Sequence, residues 1–183
     1  MKKVLFLAAI ITVLAFAVTM AIAADLKVIV EAESFTKEEG GSVEKISGRV
    51  AASNSCLLGW NNQGHALEWE VNIPEDAEYK VVLRYANGRK WTVYRDLQID
   101  GAYPGDAFKK ITLPATGGFS KTSNDWKNLT VSDSQGQAAL FKLTAGKHIV
   151  RMNNLGGDKD DGATNLDSFG FLGKDVDASV LGK

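Results

Sequence analysis

A chain of 183 residues, 45% hydrophobic and 23% charged, is long enough to bury a full core and too apolar to stay disordered. Its formal charge of −1 argues against nucleic acid or an anionic membrane surface as a partner. Cys56 is the single cysteine, which excludes an internal disulfide, and His65 and His148 share no ligand spacing with each other or with Cys56, which argues against zinc. Each histidine reads as a surface strand residue.

Lys2 and Lys3 precede an unbroken apolar stretch from Val4 to Ala17, and the small-residue site Ala21-Ile22-Ala23 follows. This is the pattern of a secretory signal peptide over 1–23, and the Ala-x-Ala site with no basic stop favours cleavage over a membrane span. Cleavage after Ala23 leaves 160 residues (183 less 23) and, without Lys2 and Lys3, a formal charge of −3 (−1 less 2). The destination is extracellular or periplasmic.

The first strand-like run of the mature chain, Val28-Ile29-Val30, leads into Glu31-Ala32-Glu33. Alternate strand residues face one side, so the two carboxylates point the same way beside β-branched apolar neighbours. No Lys or Arg lies between Val28 and Thr36 to neutralise them. A hard, oxygen-preferring cation such as calcium would do so, whereas a solvated sheet edge would make it unnecessary.

In His65 to Ile73, Leu67, Trp69, Val71 and Ile73 alternate with Glu68, Glu70 and Asn72, one buried face and one wet. Pro74-Glu75-Asp76 ends that strand, and Tyr79 to Ala86 forms the next before the break at Asn87-Gly88. Further strands are expected at Asp96 to Ile99 before the turn Asp100-Gly101, at Phe108 to Leu113, Leu129 to Ser132, Ala138 to Leu143, His148 to Met152 and Leu166 to Leu172. Many short strands at this spacing predict an all-β chain, a β-sandwich of the jelly-roll kind, as one domain over 24–173 with a short tail over 174–183.

Taken in order, Glu31-Ala32-Glu33, Arg84-Tyr85-Ala86-Asn87-Gly88, Leu97-Gln98-Ile99-Asp100-Gly101, Leu113-Pro114-Ala115-Thr116-Gly117-Gly118, Asp125-Trp126, Leu143-Thr144-Ala145-Gly146-Lys147-His148 and Asn165-Leu166-Asp167 resemble a carbohydrate-binding module of family 35, with family 6 a close relative. The resemblance implies a non-catalytic jelly roll that binds a polysaccharide or oligosaccharide, acts beside secreted glycan-degrading enzymes and is a monomer. It also implies a structural calcium held by Glu31, Glu33 and Asp167, with backbone carbonyls completing the shell.

Sugars are held by an aromatic ring against the C–H face of a pyranose, with amides and carboxylates on the hydroxyls. The resemblance points to Trp60 in the loop Leu57 to Gly64 as a stacking ring and to Asn165 as a sugar-binding amide. Where the families place Trp after Thr-Gly-Gly this chain has Phe119, and a longer stretch than usual runs from Ser120 to Asn124. Trp91, among Arg89, Lys90 and Arg95, either stacks on a sugar carrying an acidic group or packs back on the sheet. Trp69 and Trp126 read as core. Asp158-Lys159-Asp160-Asp161-Gly162 fails the EF-hand pattern, with Gly162 and Phe169 where an acid or amide and a Glu are required. It is either a solvated hairpin turn with Asp161-Gly162 at its tip or, as in some family 35 members, part of a second calcium at the ligand site.

Two rival classes remain. Glu31/Glu33 or Glu68/Glu70 could serve a glycosidase, but residues two apart on one strand cannot easily flank a sugar from opposite sides, and no nucleophile elbow, Cys/His pair or His-rich metal motif is present. A structural or adhesive jelly roll is the other. The candidate ligands are uronic-acid polymers, xylans, mannans and galactans, with Arg89, Lys90 and Lys121 tilting the choice toward an acidic one.

Overall fold

The structure, a computed structural model, describes residues 26–159 and 161–182; the expected signal peptide lies outside them. Strands dominate: β1 Lys27–Glu31, β2 Lys37–Glu39, β3 Glu44–Ser47, β4 Ser55–Trp60, β5 Ala66–Ile73, β6 Ala77–Ala86, β7 Val93–Arg95, β8 Gln98–Ile99, β9 Ile111–Leu113, β10 Lys127–Thr130, β11 Phe141–Leu143, β12 Gly146–Gly157 and β13 Thr164–Gly173. They form two antiparallel sheets. One runs β10-β6-β13-β4-β3 with β1 on β13 and β11 on β6; the other runs β2-β5-β12-β7-β9 with β8 on β12.

Alternation explains the packing. On β5, Leu67, Trp69, Val71 and Ile73 are buried while Glu70 and Asn72 are exposed, so one face turns to the core and one to water. The facing sheet contributes Tyr79, Val81, Leu83 and Tyr85 from β6 and Phe169 and Phe171 from β13. Edge-to-face rings knit the two layers together, with Trp69 and Phe169 centred 5.1 Å apart. The expected all-β sandwich is the observed fold.

Every residue of β13 is buried, because its outer face is covered as well. The cover is the tail. Val176 and Leu181 pack on Val82 and Leu172, and Asn128 donates to the carbonyls of Ala178 (2.8 Å) and Leu181 (3.0 Å). The expected boundary at 173 is therefore no structural break. At the other end of the described chain, Gly173 N–H donates to the Leu26 carbonyl at 2.7 Å.

Several elements differ from expectation. The first strand stops at Glu31, and Ala32–Ser34 form a turn of 3-10 helix. Phe108 lies in another such turn, Asp106–Phe108, ahead of β9. Both histidines are buried: His65 is fully enclosed against Glu38 (2.9 Å), and His148 sits between Asp100 (2.7 Å) and the Thr144 carbonyl (2.9 Å). Each buried imidazole has a carboxylate partner inside the protein, which a surface reading did not require.

Candidate functional site

Two β-bulges shape the centre of the larger sheet. Against β6, Leu166 pairs with Tyr85 and Ser168 with Arg84, leaving Asp167 as an extra residue. Against β4, Thr164 pairs with Trp60 and Leu166 with Leu57, so Leu58 and Gly59 together face Asn165, with Gly59 at φ +80. Bulges bend a strand and re-aim its side chains. Asn165 and Asp167 occupy these two irregularities.

At the Asn165 end a cleft of about 490 Å³ opens among the loops, within the usual size of ligand pockets. Leu58, Phe119 and Ala163 supply its apolar wall, and Asn61, Thr164 and Asn165 its neutral polar groups. Its charged residues are Glu44, Arg49, Arg89 and Lys121. Asn165 donates Nδ2 to the Phe119 carbonyl at 2.9 Å, which ties the strand to the remodelled loop. That loop is held further by Ser120 N–H to Asp125 Oδ2 (2.8 Å) and Asp125 N–H to Ser120 Oγ (3.0 Å). A Cβ at Gly118 would displace the Asp125 carboxylate that holds this loop.

The Phe119 ring lies on Gly88, where a Cβ would overlap it, and is half-exposed to the cleft. Beside it, Arg89 donates Nε to Asp161 Oδ1 at 2.9 Å and Nη2 to Asp161 Oδ2, and its guanidinium lies 5.6 Å from the Trp91 ring and 5.9 Å from Phe119. Asn87 pins this corner, giving Nδ2 to the carbonyls of Trp91 (3.0 Å) and Leu113 (3.1 Å) and taking Arg89 N–H at 2.9 Å.

Trp60 is not part of the cleft wall, and its expected stacking role is corrected. It is the last residue of β4, only 1% exposed, with its indole N–H on the His65 carbonyl (3.0 Å) and the Arg95 guanidinium 4.3 Å from its ring. A ring covered on both faces cannot meet a pyranose. Trp91 is half-buried, packs against the core, and lies beside Arg89 without lining the cleft. Trp69 and Trp126 are buried as expected.

Arg95 is enclosed with no carboxylate in reach among the described residues: it donates to carbonyls of Tyr94, Trp60 and Gly162, to Asn154 Oδ1 and to Thr164 Oγ1. Burial brings its pKa down to about 9. Arg49, unmarked by any motif, is half-buried with its Nε enclosed and unpartnered.

The three expected metal ligands come near one another by a different route from strand alternation. Glu31 Oε2 accepts from Ser53 Oγ at 2.6 Å, and Asp167 Oδ1 accepts from Ser53 N–H (3.0 Å) with the same hydroxyl oxygen 3.2 Å away. Glu33, carried inward by the 3-10 turn, accepts from Ser55 N–H at 3.3 Å, while its Oε2 is buried and unpartnered. Burial first, then the charges of Glu31 and Asp167, push its pKa up against the backbone hydrogen bonds. Arg84 Nε already meets Asp167 Oδ2 at 2.8 Å. No set of three or more His, Cys, Asp or Glu side chains among the described residues forms a ready metal cage. The orphaned oxygen of Glu33, crowded by like charges, nonetheless fits a hard cation.

The described acids of the 158–162 loop have other partners. Asp161 is held by Arg89 and Asp158 accepts from the Tyr94 hydroxyl, so this corner has a guanidinium where a second calcium was considered. Cys56 is buried in a small cluster with Ala86 and Trp126, and its thiol pKa is pushed up to about 11 by burial and then by Asp167.

The family model for Carbohydrate binding module (family 6) matches residues 31–173. No curated protein matches the chain in sequence. Among solved structures, a family 35 carbohydrate-binding module from Clostridium thermocellum superposes with a TM-score of 0.59 at 20% identity, covering 80% of this chain and 98% of that one. The C-terminal family 6 module of LamC, a marine laminarinase from Zobellia galactanivorans, gives 0.56 at 18% identity over 80% and 98%. A cycloisomaltooligosaccharide glucanotransferase from Paenibacillus sp. gives 0.60 at 23% identity over 79% of this chain but only 18% of that enzyme. At these identities the likenesses show the fold, one shared by families 6 and 35, and the family match over most of the described sandwich makes the chain a member of the family 6 carbohydrate-binding modules.

Proposed function

We propose that the chain is a secreted, non-catalytic module that holds a polysaccharide in its loop-end cleft. The carrying observation is the meeting of the half-exposed Phe119 ring with the Asn165 side chain in one cleft of about 490 Å³. The ring offers a face to a pyranose, and Asn165, Asn61 and Thr164 offer groups for its hydroxyls. Family 6 modules are non-catalytic binders, which supports the same reading. Of the two carboxylate pairs considered for hydrolysis, Glu68 and Glu70 are engaged, Glu68 with Arg151 and Glu70 with Lys147 (3.1 Å).

Glu31, Glu33 and Asp167 would hold a structural calcium, with Arg84 sharing Asp167. Bound there, the ion would supply the positive charge that the orphaned Glu33 oxygen lacks.

Affinity electrophoresis of the mature protein through gels containing neutral or acidic polysaccharides tests the binding. Retardation by at least one polymer, lost in Phe119→Ala at unchanged melting temperature, is the expected result. A protein retarded by none would overturn the proposal and leave an adhesive role on the same fold.

A further inference from the structure

The cleft has an imbalance of charge that a neutral sugar does not use. Arg49, Arg89 and Lys121 line it against one acid, Glu44. Neither Arg49 nor Lys121 has an ion pair among the described residues, and the Arg49 Nε is enclosed without a partner. Arg89 is the one cation with a counter-ion, Asp161.

Behind the wall lies a fourth cation. Arg95 donates to Gly162 O (2.7 Å) and Thr164 Oγ1 (2.7 Å), immediately beneath cleft residues Ala163 and Thr164, and no carboxylate answers its charge among the described residues. Four guanidinium or ammonium groups therefore face or back the cleft, against the carboxylates of Glu44 and Asp161. This excess is held within a chain whose overall formal charge is negative after signal cleavage, so it is local and built. Low-dielectric walls focus such a field on whatever enters.

Resting on the binding function proposed above, we infer that the cleft selects a sugar residue bearing a carboxylate or sulfate, and that its anionic group is held by Arg49, Arg89 and Lys121 without a metal ion in the contact. Planar guanidinium forks suit both anions, and neither Arg49 nor Lys121 must give up an ion pair among the described residues to meet one. Phe119 remains the stacking face. Arg89, braced by Asp161 and set beside the Trp91 and Phe119 rings, is positioned before the ligand arrives.

The test uses the mature protein against four matched polymers: polygalacturonate, the same polymer with its carboxyl groups reduced to alcohols, dextran sulfate and dextran. Each is measured with calcium and with a chelator, with intrinsic tryptophan fluorescence confirming that the chelated protein is folded at the temperature used. At least one anionic polymer should bind tenfold or more tighter than its neutral counterpart, equally with and without chelator, and which of the two does so identifies the anion. Arg49→Gln and Lys121→Gln should each weaken that binding severalfold without changing the melting temperature, which keeps the inference testable where Arg89→Gln loosens its loop. Equal binding of anionic and neutral partners would overturn it and leave the polysaccharide function standing. Anionic binding by the folded protein that appears only with calcium would overturn the metal-free contact. Binding to no glycan at all, including those of the wider panel, would overturn both.

Discussion

Trp60→Ala would remove a fully buried ring and uncover Arg95, so a loss of about 3–5 kcal/mol in urea unfolding is expected, with weaker glycan binding only as a consequence. Phe119→Ala, by contrast, removes a half-exposed loop ring and should change binding with little effect on unfolding. His148 offers a pH signature. Burial works against its charged form, but the Asp100 hydrogen bond, the Thr144 carbonyl and the Asp100 charge outweigh it and hold the pKa above the ordinary value. A raised folded pKa means the pair stabilises fully below the unfolded value of about 6.5 and loses that contribution as pH rises through the folded one. With Asp100 half-exposed the contribution is no more than about 1 kcal/mol. The melting temperatures of wild type and His148→Gln should therefore differ at pH 5.5 and converge by pH 8.5; a constant difference would assign His148 to packing alone. Phe119 and Asn165, singled out in the sequence as sugar-binding candidates, line one cleft, whereas Arg49 went unnoticed because a single arginine in a loop between two weakly patterned strands has no periodicity or motif to announce it.

Strands bounded by turn residues or carrying a regular pattern were legible, and strands with neither were not. β5 follows clean alternation, and β5, β6 and the wholly buried β13 match expectation within two residues. β4, Ser-Cys-Leu-Leu-Gly-Trp, carries no alternation because both its faces are covered and its end is bulged, so its terminal Trp60 looked like a loop residue. β2 and β3 are short, charged edges whose pairing is set by neighbours far along the chain. The tail is the element most underestimated. Truncation after Lys174 would expose Leu172 and Val82 and remove the burial of Val176 and Leu181, at a cost of roughly 3 kcal/mol or more. A lower urea midpoint with an unchanged slope would confirm that the tail stabilises the module without being a separate unit.

For the whole molecule, the proposed cation joins the end of β1 to the bulge of β13, the strand that pairs with β1, β4 and β6. A ligand bound only by the folded state stabilises by about 2.7 kcal/mol at a hundred times its dissociation constant. Calcium should thus raise the melting temperature, and Glu33→Gln should invert its own sign: less stable than wild type in calcium, more stable in chelator, where the orphaned charge has gone. A Glu33→Gln protein less stable than wild type in both media would deny the cation its site.

The hydrogen bond from Gly173 to Leu26 bears on how the proposed ligand reaches the module. β13 runs from Thr164 at the cleft to Gly173 beside Leu26, a distance of about 30 Å at some 3.3 Å per residue. Leu26 therefore lies at the pole opposite the cleft. In the proposed function a bulky polysaccharide therefore docks without meeting the point at which the chain enters the sandwich.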